Sequence, residues 1–459
     1  MWSNAFLIRV AFSFKSSNSS ARVNRQFPSE AEFWRTDFEI LGEIRYDSNL
    51  CNSRYKFFLS NPIRLGTMFR NTLIVWCLAG SMLVEPLLTW STEPNTSAQN
   101  IGLLVEHVKV YAEPGKFGGW PANHGIWSWG NEILVGFSAG TMKDLGAERH
   151  NIDHDKPERH LLARSLDGGK TWSIEDPSEK GALIPSGQAL HGIVPPDQHE
   201  RPWQNCPGGI DFQHPDFAMT IRMTNNHIGP SRFYYSLDRG HNWTGPFRLP
   251  DVGTPGISAR TDYVITGREE MLLFVTAGKS DQREGRPLCM RTSDGGKSFQ
   301  FVAWIGPEPG GYAIMPSTVA LSSTELLTAV RCREGKRSWI DCYRSADSGR
   351  NWTLASAAVA DTGEGNPPSL IRLVDGRVCL TYGYRAAPFG IRARLSDDGG
   401  RTWQDEIHLR DDGGGRDVGY PRTVQRPDGR LVTVYYYHDS LAGDRYIAAT
   451  IWQPNDSKL

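Results

Sequence analysis

Ser165-Leu166-Asp167-Gly168-Gly169-Lys170-Thr171-Trp172 is the stretch that decides the fold, because it returns four times. The copies are Ser236-Leu237-Asp238-Arg239-Gly240-His241-Asn242-Trp243, Thr292-Ser293-Asp294-Gly295-Gly296-Lys297-Ser298-Phe299, Ser345-Ala346-Asp347-Ser348-Gly349-Arg350-Asn351-Trp352 and Ser396-Asp397-Asp398-Gly399-Gly400-Arg401-Thr402-Trp403. Successive aspartates lie 71, 56, 53 and 51 residues apart, the length of one four-stranded unit with its loops. The octapeptide's chemistry is structural. Its Asp can accept backbone N–H bonds in a tight turn, the Gly two residues later permits positive φ, and the aromatic packs beneath. None of the five aspartates is a catalytic candidate.

Working outward from each copy, the same order of strands precedes it. The clearest case is residues 368–373, the Asp375-Gly376 turn, residues 377–382 and residues 390–395. A sixth unit, residues 419–424, Asp428-Gly429 and residues 431–436, ends at residues 446–452 with no octapeptide after it. Its outer strand is missing from the C-terminal side. Residues 103–111 can supply that strand, closing a ring with no exposed sheet edge. The expectation is an all-β fold: a six-bladed β-propeller of four-stranded antiparallel blades over residues 101–452.

The composition agrees and excludes other classes. The 459 residues include 47 Gly, 28 Pro and 15 Trp, a chain of turns and flat packing residues and not of heptads. Lys plus Arg (50) balance Asp plus Glu (51) for a net charge of −1, so no basic face for nucleic acid follows. Seven Cys without Cys/His metal spacing give neither a zinc site nor a disulfide scaffold. No metal and no cofactor are expected.

At Met68 the text changes. Arg70 is followed by an uncharged run from Leu73 to Val84, which suits a secretion leader and is too short to span a bilayer. Residues 1–67 are therefore expected to be a mis-assigned or disordered extension, residues 68–95 a signal peptide, and the mature protein exported to the periplasm or beyond, with no stable membrane span once the leader is gone. Cys332 and Cys342 flank a hairpin, where they either pair or remain buried thiols.

Antiparallel blades place the octapeptides on one face of the ring, so the opposite face collects residues entering the first strand and leaving the second. Those entering are His124, Asp211 with His214, Arg260 with Asp262, Tyr312, Asn366, and Tyr420 with Arg422. Those leaving include residues 144–155, Arg331 with Arg333, and Arg385. Polar groups converging on the mouth of a ring are the usual setting for a ligand.

The octapeptides are similar to the Asp boxes of the sialidase superfamily, and residues 101–452 resemble its six-bladed propellers. The resemblance implies an arginine triad clamping a sugar carboxylate, a tyrosine nucleophile with a glutamate partner, and an aspartate acid/base. Tyr420, opening the last blade, matches the nucleophile. Arg331 or Arg333, and Arg385, match two clamp arginines. Asp153 or Asp155, with Asp144 behind, matches the acid/base. Two features depart from the pattern: no arginine stands near Trp120-Pro121-Ala122-Asn123-His124, and Tyr312-Ala313-Ile314-Met315-Pro316 carries no glutamate. Asp211, Asp262 or His124 are candidates for the missing roles, with Arg260 and Arg422 as further substrate-binding residues. The function implied is an exported, monomeric, sialidase-like glycoside hydrolase acting on terminal, acidic or neutral, sugars of a glycan. The alternatives are a non-catalytic carbohydrate- or protein-binding propeller, and a polysaccharide lyase using Tyr420 and a histidine beside a uronate.

Overall fold

Each octapeptide folds into the same turn. In the first copy, Asp167 Oδ1 accepts the backbone N–H groups of Lys170 (3.0 Å) and Thr171 (2.9 Å), and the Thr171 hydroxyl donates to Oδ2 at 2.6 Å. The equivalent amides of Asn242, Ser298, Asn351 and Thr402 each lie 2.9 Å from Asp238, Asp294, Asp347 and Asp398. Partial burial alone would raise the Asp167 carboxyl, but these donors favour its charged form and hold it down to about 2. The second glycine takes positive φ in all five turns, from 80° to 90°. At Gly400 a Cβ would meet Leu327 Cδ2 at 2.5 Å, so both conformation and space demand glycine there.

The computed structural model describes residues 105–185 and 193–454. The expected upstream extension and leader lie outside the described residues. Six antiparallel sheets form the blades of a β-propeller. The fourth, for example, runs Tyr312–Ala320, Leu326–Glu334, Arg337–Ser345 and Thr353–Val359 from the inside outward. In the last blade Val105–Tyr111 pairs antiparallel with Tyr446–Trp452, so the N-terminal strand supplies the outer edge as the sequence implies.

One blade departs from the four-stranded expectation. Among the described residues the second has Ala218–Met223, Ser231–Ser236 and Thr244–Leu249 and no inner strand, the chain reaching Ala218–Met223 from the octapeptide side. The inner strands of the first and third blades are each broken into two short pieces.

Strand alternation explains the core. In Glu132–Thr141, Ile133, Val135 and Phe137 pack against Val432, Val434 and Tyr436 of the last blade, while Leu134 packs with Ala218 and Tyr234 of the second. Both faces of the strand are buried, and each such side chain contributes about 1.5–3 kcal/mol.

Neighbouring blades are also clipped together near the axis. Ser317 Oγ accepts the amide of Leu370 at 2.9 Å and Ser369 Oγ that of Thr423 at 3.0 Å. Asp262 Oδ1 takes the corresponding place between the third and fourth blades, accepting the amide of Thr318 at 3.1 Å. Cys332 and Cys342 are both buried free thiols. They do not face each other across the hairpin, since Cys332 is opposite Trp339 and Cys342 opposite Ala329.

Candidate functional site

In or beside the inner strands of three blades stands a residue in the left-handed region that is not glycine: Trp120 (φ 58°), Met315 (φ 54°) and Tyr420 (φ 52°). Such backbone costs on the order of 1–3 kcal/mol and persists only where the surroundings enforce it. Here they do. The Met315 amide is held by Thr276 Oγ1 at 3.0 Å and the Tyr420 amide by Asn366 Oδ1 at 2.8 Å. Strand register slips at Met315 and Tyr420, between Ile314 and Ser317 and between Gly419 and Arg422, a device that re-aims side chains beside functional sites. Tyr420, Tyr312, Ala122 and Met315 then pack together on the face opposite the octapeptides.

Arginines surround the Tyr420 ring. Arg331 donates to its hydroxyl at 3.2 Å and reaches the Tyr312 hydroxyl at 3.1 Å with its other amino group. The Arg385 guanidinium carbon stands 5.3 Å from the ring centroid. Arg260 also acts on the phenol electrostatically. It is held by Glu284 at 2.5 Å and by Asn123 Oδ1 at 3.3 Å. Burial by itself would raise the phenol, but Arg331, Arg385 and Arg260 outweigh it and leave the Tyr420 pKa below its usual 10.0.

A second group meets the same ring. His150, on the loop joining Glu132–Thr141 to Arg159–Ser165 within the first blade, lies edge-on to Tyr420 with centroids 6.3 Å apart and edge-on to Trp120 at 5.4 Å. Its Nδ1 is 2.6 Å from Asp417 Oδ1. Asp417 also accepts from the Tyr436 hydroxyl (2.7 Å), the Asn151 amide (3.1 Å) and Arg445 Nε (3.0 Å). Burial pushes this carboxyl up, yet His150, Arg445 and Arg385 carry it far below the ordinary range.

The remaining sequence candidates are placed as follows. Asp153 pairs with Lys143 at 2.9 Å, and Asp155, 88% exposed, pairs with the same lysine at 3.4 Å. Asp144 caps its own loop at the Gly146 amide. No hydrogen bond joins any of the three to Tyr420 among the described residues. Arg333 donates to the Gly335 carbonyl of its own hairpin at 3.2 Å. Arg422 donates to the carbonyls of Ala122 and Thr261, tying three blades together deeper along the axis.

Asp262 is buried beside Arg422, and desolvation lifts its carboxyl to about 7. His124 is 1% exposed, with Nε2 at 3.1 Å from Ser138 Oγ and its ring 4.8 Å from that of His160. Asp211 lies in the chain that runs along the octapeptide side, 3.1 Å from Arg268, with its neighbour Phe212 bonded to the Arg268 carbonyl. It is not at the start of an inner strand, since the second blade has none among the described residues.

The sequence reading did not assign a role to His150, Asp417 or Glu284. His150 sits in the loop between residues 144 and 155 that the repeat had already placed on the site face, so its position was readable. Its partner at Asp417 was not. Among the described residues no group of three or more His, Cys, Asp or Glu side chains is arranged to hold a metal ion. No helix among them is long and apolar enough to cross a membrane. A cavity of about 780 Å³ lies on the flank of the first blade, lined by Tyr111, Arg159, Asp176 and Lys180, away from Tyr420.

A family model described as a BNR repeat-like domain matches residues 219–433. Among solved structures, a protein of unknown function from Dyadobacter fermentans is similar at 20% identity and a TM-score of 0.57, covering 76% of this chain and 99% of that one. A variant of the NanB sialidase from Streptococcus pneumoniae is similar at 12% identity and a TM-score of 0.50, covering 75% of this chain and 68% of that one. At these identities the likeness establishes the fold. No curated protein matches the chain.

Proposed function

We propose that this sialidase-like BNR-repeat propeller is an exported, monomeric glycoside hydrolase that grips an acidic sugar at the mouth of the ring and releases it from a glycan, with Tyr420 as nucleophile. The observation that carries the reading is the convergence of Arg331, Arg385 and Arg260 on the Tyr420 phenol. A guanidinium has five N–H donors. Arg331 bonds through two nitrogens to protein and Arg385 through three, which leaves N–H groups on each for a ligand carboxylate. Forked guanidinium contacts are what a carboxylate selects.

A tyrosine suits such a substrate because a carboxylate nucleophile would be repelled by the anionic sugar. The glutamate partner of the sialidase pattern is replaced by Met315 and Tyr312. The lowered phenol, held by arginines, supports Tyr420 as a nucleophile without that partner. Arg260 takes the place of the first clamp arginine, while Arg333, Arg422, Asp211, Asp262 and His124 serve the scaffold. Export rests on the leader-like run after Met68.

One observation favours a second reading, a non-catalytic carbohydrate-binding propeller: among the described residues no carboxylate hydrogen-bonds the Tyr420 phenol. Screening a glycan array and analysing the products decides between them. Released acidic monosaccharide supports the hydrolase. Bound but intact glycan supports the binding propeller, and a product with new ultraviolet absorbance from a double bond would mean elimination.

A further inference from the structure

Asp417 is 2% exposed and makes four bonds, to His150 and Tyr436 through one oxygen and to Asn151 and Arg445 through the other. Tyr436, Asn151 and Arg445 approach as donors and the carboxyl lies far below its ordinary range, so the carboxylate is ionised and acceptor-only. The proton in the bond at 2.6 Å is therefore on His150 Nδ1. A neutral imidazole with hydrogen on Nδ1 carries its lone pair on Nε2. The loop around it is pinned. Asn151 gives its amide to Asp417, and its side chain accepts the amide of Leu145 at 2.7 Å. Met142 and Ile152 form a β-bridge across the loop's base.

The imidazole stands where proton transfer is wanted. Its side chain is 32% exposed at the mouth, whereas Asp417 behind it is buried. The Tyr420 ring is its edge-on neighbour at 6.3 Å, Trp120 closes one side, and Tyr436 bridges back to Asp417 and to Arg385. The charged and titratable groups facing it are Asp417, Arg385, Arg416, Tyr436 and Tyr420. Desolvation, aided by Arg385 and Arg416, outweighs Asp417 and lowers the imidazole below its ordinary 6.5, so it rests neutral at pH 7.

We propose that His150, its Nδ1–H held by Asp417, is the proton acceptor for the Tyr420 phenol, doing the work of the glutamate that the sialidase pattern would place there. This rests on the reading of the chain as an acidic-sugar glycosidase with Tyr420 as nucleophile. His150 Nε2 takes the phenol proton, directly or through one water, as the phenolate oxygen attacks the anomeric carbon. The glycosidic oxygen departs from the opposite face of the anomeric carbon and takes its proton from water, while the imidazolium keeps the phenol proton. In the second half, the hydroxide left by that water attacks the anomeric carbon from the vacated face, and the imidazolium returns its proton to the released Tyr420 oxygen. Bonds and protons balance, and water is the sole co-reactant. Asp417 is a positioning residue in this scheme.

The test compares wild type, His150→Gln and Tyr420→Phe on nitrophenyl and methyl glycosides of a sialic acid and of a uronic acid, over a range of pH, with 15N NMR of the imidazole alongside. His150→Gln is expected to lower kcat/KM by about 10²–10⁴-fold on both glycosides, because the proton it moves comes from the phenol and not from the leaving group. The acid-side limb of the wild-type profile, set by an imidazole below 6.5, should vanish in the same variant. The NMR spectrum should report the Nδ1–H form, and Tyr420→Phe should move its titration.

A loss confined to the methyl glycoside, or an acid limb that survives His150→Gln, overturns the proposal while leaving the hydrolase reading in place. A wild type that cleaves none of the glycosides overturns the hydrolase reading and the proposal together.

Discussion

Arg331 reaches Tyr420 from the neighbouring side of the ring, donating to the phenol oxygen at 3.2 Å across 89 positions of sequence. The bond stabilises phenolate over phenol, in the same direction as the charges of Arg385 and Arg260. A spectrophotometric titration should therefore find one tyrosine ionising below 10. That transition should disappear in Tyr420→Phe and move upward in Arg331→Met. A Tyr420 titration unaffected by Arg331→Met would contradict the assigned role of the guanidinium.

Arg385 is 3% exposed and holds Val418 O, Gly365 O and the Tyr436 hydroxyl. Arg385→Ala should thus do two things at once. It should weaken binding of an acidic sugar by about 2–5 kcal/mol, and it should lower the melting temperature, because three buried acceptors lose their donor. Arg385→Lys should restore part of the stability and little of the affinity. Calorimetric binding and thermal melts separate the effects; unchanged affinity would confine Arg385 to the scaffold.

Asp262 should make stability fall as pH rises. Its carboxyl sits at about 7 in the fold against 3.8 in a free chain, so between those values the folded state holds the extra proton. The contribution is complete below 3.8 and is lost as pH climbs through 7, at about 1.4 kcal/mol per pH unit across the window. Asp262→Asn keeps an acceptor for Thr318 without the charge. It should leave the melting temperature near that of the wild type at pH 4 and raise it at pH 8. Parallel melting curves for the two proteins across this range would contradict the assignment.

Asp167→Ala removes the acceptor of two turn amides and a hydroxyl on the octapeptide face. It should cost about 1 kcal/mol of stability and leave any turnover by the folded protein unchanged. A large fall in turnover at an unchanged melting temperature would give the octapeptide aspartate a part in the chemistry.

The blade count was legible because the octapeptide repeats at almost fixed spacing and its turn needs no distant partner. The closing strand was legible for the same reason, through the missing sixth copy. That no inner strand appears among the described residues of the second blade was not legible, since no repeat marks which side the chain enters that blade from. Within the site, Tyr420 and Arg385 follow from their places in the repeat. Choosing between Arg331 and Arg333 does not, because both point the same way along one strand and differ only in depth.

Asp262 reads in sequence as an acid near the axis. Its correspondence with Ser317 and Ser369, and hence its part in joining blades, emerges once the interblade hydrogen bonds are seen. The contact of His150 with Asp417 spans 267 positions and rests on no repeat at all.

The most direct measurement is mass spectrometry of the protein denatured rapidly during incubation with a nitrophenyl glycoside of an acidic sugar, together with the turnover of Tyr420→Phe. The account predicts a glycosyl group on the peptide containing Tyr420, absent from the Phe variant, and a loss of turnover by orders of magnitude in that variant with its melting temperature nearly preserved. Near-normal turnover by Tyr420→Phe, with no adduct on the wild type, would contradict it.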